Sequence, residues 1–317
     1  MGNFLFSLFS SKKEEADGGE RKDERKKFDI LKFDGMRAQR INRADYAVKC
    51  FTEALRIQKD FETMNYLVSA YVATNEPEKA LPVLNEMIEM EPDNMELLLT
   101  RAHLLFQTGR GAEAVPDCLR AVETDEANPV AGFLLAKARR AAGDFAAAAD
   151  CLTKVVGLKD DFADAFLLRA EVYLDMQQGE EALADALSAI RLAPEEEAAY
   201  LLRGRIQAHL GDTDAAEGDY RKVLELNPFN EEAFLLLGSS LISSRKYDAA
   251  IALFDEALEQ NEQFARAYVE RARAKELNGD KEGALEDLAT ARKLAAANEE
   301  DGAEQPNFDD LYKGGIF

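Results

Sequence analysis

"ADAFLLRAEVYLDMQQGEEALADALSAIRLAPEE", residues 163–196, carries the pattern that decides the fold. Ala182 lies within it, and a step of 34 residues in either direction lands on alanine again: Ala216, Ala250 and Ala284 upward, Ala148, Ala114 and Ala80 downward. These seven alanines share one register. They define a gapless repeat over 61–298, with units starting at 61, 95, 129, 163, 197, 231 and 265, in which Ala182 occupies position 20. A degenerate unit at 28–60, one residue shorter, keeps Ala47 and Ala54 in phase. Self-similarity at such a period marks an array of small supersecondary units, each burying its apolar face against the next.

The positions within a unit specify two helices. Position 8 reads Ala102, Ala136, Ala170, Gly204, Gly238 and Ala272, with Val68 the exception. Small residues there and at position 20 let two helices approach closely. Position 15 holds Gly109, Gly143, Gly211, Gly279 and Asn75, residues that accept the left-handed backbone ending a helix. The first helix therefore closes at position 15 and the second starts near 18. Pro92, Pro194 and Pro228 at position 32 stop the second helix, and Pro129 opens a unit where a helix start tolerates proline. Position 28 reads Leu55, Ile88, Val122, Val156, Ile190, Leu224 and Leu258, then Arg292 in the last unit. An apolar residue there calls for a covering repeat, and the charged one marks the terminal cap.

In these residues the chain resembles the tetratricopeptide repeat family, over residues 28–298 of its 317. The resemblance implies an all-α fold, a right-handed superhelical solenoid of helix-turn-helix repeats. A flexible tail would occupy 1–27 and an acidic tail 299–317, "EEDGAEQPNFDDLYKGGIF". It also implies a non-catalytic scaffold or adaptor that binds a protein or peptide partner in a concave groove lined by the first helices, at positions 2, 5, 9, 12 and 13. Those positions and the adjoining position 6 give Phe133, Leu134, Lys137, Arg140, Leu167, Leu168, Glu171, Leu201, Leu202, Arg205 and Leu235 as the partner-binding set. The apolar members would anchor an extended peptide or amphipathic helix, and the cations would orient its acidic groups. Some family members clamp the acidic C-terminus of heat-shock chaperones with Lys at position 5, Asn at position 9 and Asn at position 6 of the next unit. No two consecutive units here supply that set.

Arg169 interrupts an apolar stretch, which reads either as a ligand contact or as half of an ion pair. Position 7 runs Leu67, Arg101, Leu135, Arg169, Arg203, Leu237, Arg271, and position 23 runs Val83, Asp117, Cys151, Asp185, Asp219, Leu253, Asp287. The columns switch together: every Arg has an Asp sixteen residues on, and every Leu has an apolar partner. A ligand-binding arginine needs no such partner. The expectation is four structural pairs, Arg101–Asp117, Arg169–Asp185, Arg203–Asp219 and Arg271–Asp287, each gripping carboxylate with the planar guanidinium fork.

Composition narrows the rest. The net charge of -22 argues against nucleic acid, whose phosphates call for clustered Lys and Arg. Cys50, Cys118 and Cys151 have no CxxC spacing and read as buried thiols of a cytoplasmic protein. His103 and His209 have no metal-ligand spacing around them, and no phosphate loop or nucleophile motif occurs, so neither enzyme activity nor a cofactor is expected. The apolar run from Phe4 to Phe9 is short for a signal sequence and is followed by lysines. Gly2 raises N-myristoylation, although Phe6 stands where Ser or Thr is usual. The alternative function is therefore a peripheral-membrane assembly factor tethered by residues 2–9.

Overall fold

The computed structural model describes the backbone of residues 3–300 and the side chains of residues 22–296; the described residues are helical throughout, without strands. It divides into two units, residues 1–158 and 159–317. In the first, α1 (Asn3–Arg40) and α2 (Ala44–Ile57) form the degenerate pair, followed by α3 (Phe61–Ala73), α4 (Pro77–Met90) and α5 (Met95–Gln107). A single 3-10 turn at Gly111–Ala114 leads into α6 (Val115–Thr124), and α7 (Pro129–Ala141) and α8 (Phe145–Leu158) complete the unit. The second holds α9 (Ala163–Asp175), α10 (Gly179–Leu192), α11 (Glu197–Leu210), α12 (Thr213–Leu226), α13 (Glu231–Ser243), α14 (Tyr247–Gln260), α15 (Ala265–Leu277) and α16 (Lys281–Glu300).

The first helices of the seven regular repeats begin at Phe61, Met95, Pro129, Ala163, Glu197, Glu231 and Ala265. The residue before the start caps the helix with its side chain at four of these seven starts, while exposed Glu196 makes no side-chain cap before α11. Asn94 Oδ1 accepts from the backbone N–H of Glu96 and Leu97 at 3.1 and 3.4 Å, and Asp60, Asn128 and Asn230 cap in the same way. Such caps stabilise a helix by about 1 kcal/mol. Phe264 gives no side-chain cap and is buried instead. Second helices from α4 to α14 all end at position 30, whether position 32 is Pro92, Pro194 and Pro228 or Glu126, Asp160 and Glu262. Proline therefore reinforces a stop that packing already imposes.

Position 15 is left-handed in every regular unit. Besides Gly109, Gly143, Gly211, Gly279 and Asn75, it holds Gln177 at φ 63° and Arg245 at φ 58°. Asn42, the equivalent in the degenerate unit, has φ 56°. Neither Gln nor Arg advertises this conformation in sequence; the turn between the packed helices imposes it.

Two helices run beyond the repeat bounds. Residue 28 is not a helix start, because α1 runs unbroken from Asn3, so the tail expected over 1–27 is helical in its described backbone. The side chains of the proposed anchor at residues 2–9 lie outside the described residues. At the other end α16 continues past position 30 to Glu300. The remainder of the acidic tail, 301–317, also lies outside the described residues.

Each unit has its own apolar core. In the first, Leu84, Met87 and Leu98 are fully buried, and Cys118 packs with Leu134 and Leu135. In the second, Phe234, Leu237, Leu241, Phe254 and Leu258 form one cluster, and Ala170, Ala182, Ala186, Leu202 and Ile206 another. No described helix is long and apolar enough to cross a membrane.

Candidate interaction surface

Successive helix residues turn by about 100°, so positions 5 and 9 share a face and position 7 points about 180° away from their midpoint. The arginines and the groove candidates therefore leave the first helices on opposite sides.

On the position 7 side, each arginine meets its aspartate. Arg169 Nε donates to Asp185 Oδ2 at 2.6 Å and Nη2 to Oδ1 at 2.8 Å, with the two side chains 13% and 8% exposed. Arg271 makes the same fork on Asp287 at 2.9 and 2.6 Å. Arg203 and Arg101 reach Asp219 and Asp117 through Nε at 2.7 and 2.6 Å, with Nη2 as the second donor. The hydrogen bonds that each guanidinium donates to its aspartate outweigh desolvation and raise the pKa of Arg169, Arg203 and Arg271. The Arg101 and Arg271 forks extend to the preceding repeat: Arg101 Nη1 donates to Asn85 at 2.7 Å and Arg271 Nη1 to Asp255 at 2.6 Å. Three also stack on an aromatic at position 4, one turn earlier, with guanidinium to ring-centroid distances of 5.6 Å for Arg169–Phe166, 5.5 Å for Arg203–Tyr200 and 5.3 Å for Arg271–Tyr268. The i, i+3 spacing of aromatic and arginine was the available sequence signal for this contact.

On the opposite face the groove candidates separate into two classes. Leu134, Leu168 and Leu202 at position 6 are 3%, 8% and 4% exposed, so these three belong to the core and leave the contact set. Leu134 and Leu202 pack within the core clusters of their units. The position 5 side chains Phe133, Leu167, Leu201 and Leu235 are half-buried, with part of each still open to solvent.

In the first unit, α5 and α7 supply one surface. Lys137 is exposed and its Nζ lies 4.7 Å from the centroid of the half-buried Phe106 ring. Arg140 and Phe133 are half-buried on the same helix as Lys137. His103 Nδ1 lies 2.8 Å from Leu99 O, which requires the proton on Nδ1 because a carbonyl only accepts. In the second unit, α9, α11 and α13 present Leu167, Leu201 and Leu235, with Glu171 half-buried and Arg205 exposed. His209 is exposed at the end of α11.

Among the described residues no three His, Cys, Asp or Glu side chains come together as a metal site. Cys50 and Cys118 are buried and Cys151 half-buried, all as free thiols, and burial pushes the Cys118 thiol up to about 12. Burial likewise raises Cys151, whose sulfur receives Arg139 Nη1 at 3.4 Å.

A tetratricopeptide repeat model matches residues 133–187, 167–231 and 235–299, and a second model of the same repeat matches 71–137. No curated protein matches the chain. Among solved structures, a tetratricopeptide repeat protein from Parabacteroides merdae is similar with TM-score 0.61 and 17% identity, over 80% of this chain and 96% of that one. Pseudomonas aeruginosa PilF gives TM-score 0.54 and 19% identity over 63% of this chain and 91% of its own. MamA from Desulfovibrio magneticus gives 0.50 and 21% over 54% and 97%. At such identities these likenesses establish the fold, a helical solenoid, and nothing about partners. The chain belongs to the tetratricopeptide repeat family.

Proposed function

We propose that this protein is a non-catalytic interaction scaffold that holds an extended or helical segment of a partner protein against its first-helix faces. The observation that carries the reading is the row of half-buried apolar side chains at position 5, Leu167, Leu201 and Leu235 in the second unit, beside the exposed Arg205. A row of this kind offers anchors at low ordering cost, because the helices hold it in place before a partner arrives. In the first unit Lys137 over Phe106, with Phe133 alongside on α7, offers the same combination of cation and apolar surface. The match to a family of interaction repeats supports the scaffold role. Three free thiols, two of them buried, support work in a reducing compartment, the cytoplasm.

The test is affinity capture followed by mass spectrometry, comparing the natural chain with Leu167→Ser/Leu201→Ser/Leu235→Ser. A second variant, Lys137→Glu/Arg205→Glu, changes only exposed side chains and reports independently of the core. Loss of the captured partner by both, with helical content retained by circular dichroism, is the expected result. Unchanged capture by both folded variants would overturn the groove reading.

A further inference from the structure

The helix that opens the first unit carries charge opposite to the rest of the chain. Residues 22–43 hold eight Lys or Arg against four Asp or Glu, a net charge of +4 in a chain whose total is -22. The inner face of α1 is packed: Phe28 and Ala38 are buried, and Gly35 lies against the ring of Phe51. On its outer face Lys22, Lys26, Ile30, Phe33, Arg37 and Arg40 are all exposed, and they follow one another in steps of four, four, three, four and three residues. Such steps average one helical turn, so the six side chains form a straight stripe about 27 Å long.

At the centre of the stripe Ile30 and Phe33 are 60% and 62% exposed on adjacent turns, with two cations on either side. Arg37 and Arg40 make no ion pair among the described residues, and Lys26 makes only a loose one, 3.9 Å from Asp23 between highly exposed side chains. Other cations of this unit are engaged. Lys32, which leaves α1 on another side, is held by Asp60 and Glu62 at 2.8 and 2.6 Å. At the open cleft of about 400 Å³ over Leu67 and Val83, the rim cations Lys59 and Lys79 pair with Glu86 and Glu76. The stripe thus combines uncompensated positive charge with open apolar surface.

We propose that α1 docks on the surface of an anionic membrane through this stripe. Ile30 and Phe33 enter the boundary between headgroups and acyl chains, while Lys22, Lys26, Arg37 and Arg40 reach the lipid phosphates. Nucleic acid would engage the cations alone and leave the two apolar side chains unused. The acidic remainder of the chain is repelled by the same surface, which turns α1 toward it. The stripe shares no residue with the position 5 row, so failure of the docking would leave the scaffold reading standing. It also differs from a tether at residues 2–9, an apolar anchor that would hold the chain equally well on a neutral bilayer.

Vesicle flotation of the full-length chain tests this. The chain should float with phosphatidylcholine vesicles that contain about 30% phosphatidylserine and not with phosphatidylcholine alone. Each cation near such a surface raises partitioning about fivefold, so Arg37→Glu/Arg40→Glu should cut it at least about tenfold. Both side chains are exposed, so circular dichroism should not change. Ile30→Ser/Phe33→Ser should cut partitioning by roughly tenfold through lost insertion. Arg120→Glu/Arg221→Glu makes the same change of net charge at exposed positions outside α1 and should float as the natural chain does. No flotation on anionic vesicles, equal flotation on neutral ones, equal loss in the variant outside α1, or undiminished flotation of Arg37→Glu/Arg40→Glu would each overturn the proposal. So would a chain that ignores vesicles and instead dimerises, with a mass in analytical ultracentrifugation that halves on Arg37→Glu/Arg40→Glu.

Discussion

Gly238 lies under the ring of Phe254: a Cβ on that glycine would sit 2.1 Å from the ring's Cζ. The same relationship joins Gly204 to Tyr220 and Gly35 to Phe51, each at 2.5 Å from the nearest ring carbon. These pairs are positions 8 and 24, sixteen residues apart. Where position 8 is Ala or Val, position 24 is smaller: Val68 with Leu84, Ala102 with Cys118, Ala136 with Leu152, Ala170 with Ala186 and Ala272 with Leu288. The two columns thus share one helix contact, in which a ring at position 24 leaves room only for glycine at position 8, as close packing requires. Phe254 and Phe51 are fully buried and cannot swing aside without displacing the core.

Gly238→Ala should therefore destabilise the fold by roughly 1–3 kcal/mol, the usual cost of overpacking. Phe254→Leu alone should also destabilise, by opening space. The double variant should lose less than the sum of the two, because it recreates the Ala–Leu combination of the repeat starting at 129. Urea denaturation of all four proteins measures the coupling, and strict additivity would show that the two residues do not share a space.

Arg169 and Asp185 should show strong coupling in a double-mutant cycle. Removing one partner strands a buried charge and should cost roughly 3–5 kcal/mol. Replacing both with the apolar pair of another repeat, Arg169→Leu/Asp185→Val, should come within about 1–2 kcal/mol of the natural chain, since such replacements are often neutral. Thermal or urea unfolding reads the result.

Arg245 and Gln177 hold left-handed backbone that costs a non-glycine residue about 1–2 kcal/mol. Glycine relieves that cost but loses more entropy on folding, so Arg245→Gly should leave a net gain of roughly 0.5–1 kcal/mol. Gly211→Ala should act in the opposite direction by a similar amount. The denaturation midpoint is the measurement.

The thiols should react in the order that burial dictates. Cys118 is fully buried and its pKa is pushed up to about 12 by desolvation, with Asp117 adding to the shift. It should stay unalkylated at pH 9 in the folded chain while half-buried Cys151 is modified first. Because the folded pKa lies above the ordinary thiol value of about 8.5, the stabilisation from Cys118 is fully present below that pH. It declines as pH rises toward 12. Iodoacetamide labelling followed by mass spectrometry checks the order, and urea midpoints at pH 8 and 10 check the sign.

The fold and the ion pairs were legible because both leave periodic traces. An alanine every 34 residues and an Arg that travels with an Asp are visible without coordinates, since each repeat is an independent trial of the same packing problem. The interaction surface was less legible. Positions 5 and 6 are both rich in leucine, and adjacent residues on a helix differ by only about 100°, so the pattern alone did not say which column turned inward. Packing within each unit sent Leu134, Leu168 and Leu202 to the interior and left Leu167, Leu201 and Leu235 half-open.

By itself, then, the amino-acid order determined the repeat, its helix pairs, its register and the partner of each position 7 arginine. Those properties follow from local turn chemistry and from contacts sixteen residues apart, which recur in every unit. The tertiary structure alone decided the left-handed turns at Gln177 and Arg245, the burial of Leu134, Leu168 and Leu202, the third contacts to Asn85 and Asp255, and the open cleft over Leu67 and Val83. Each of these depends on how one repeat's side chains fill the space left by the preceding repeat. That filling is a matter of three-dimensional volume and direction, which no single column of the repeat records.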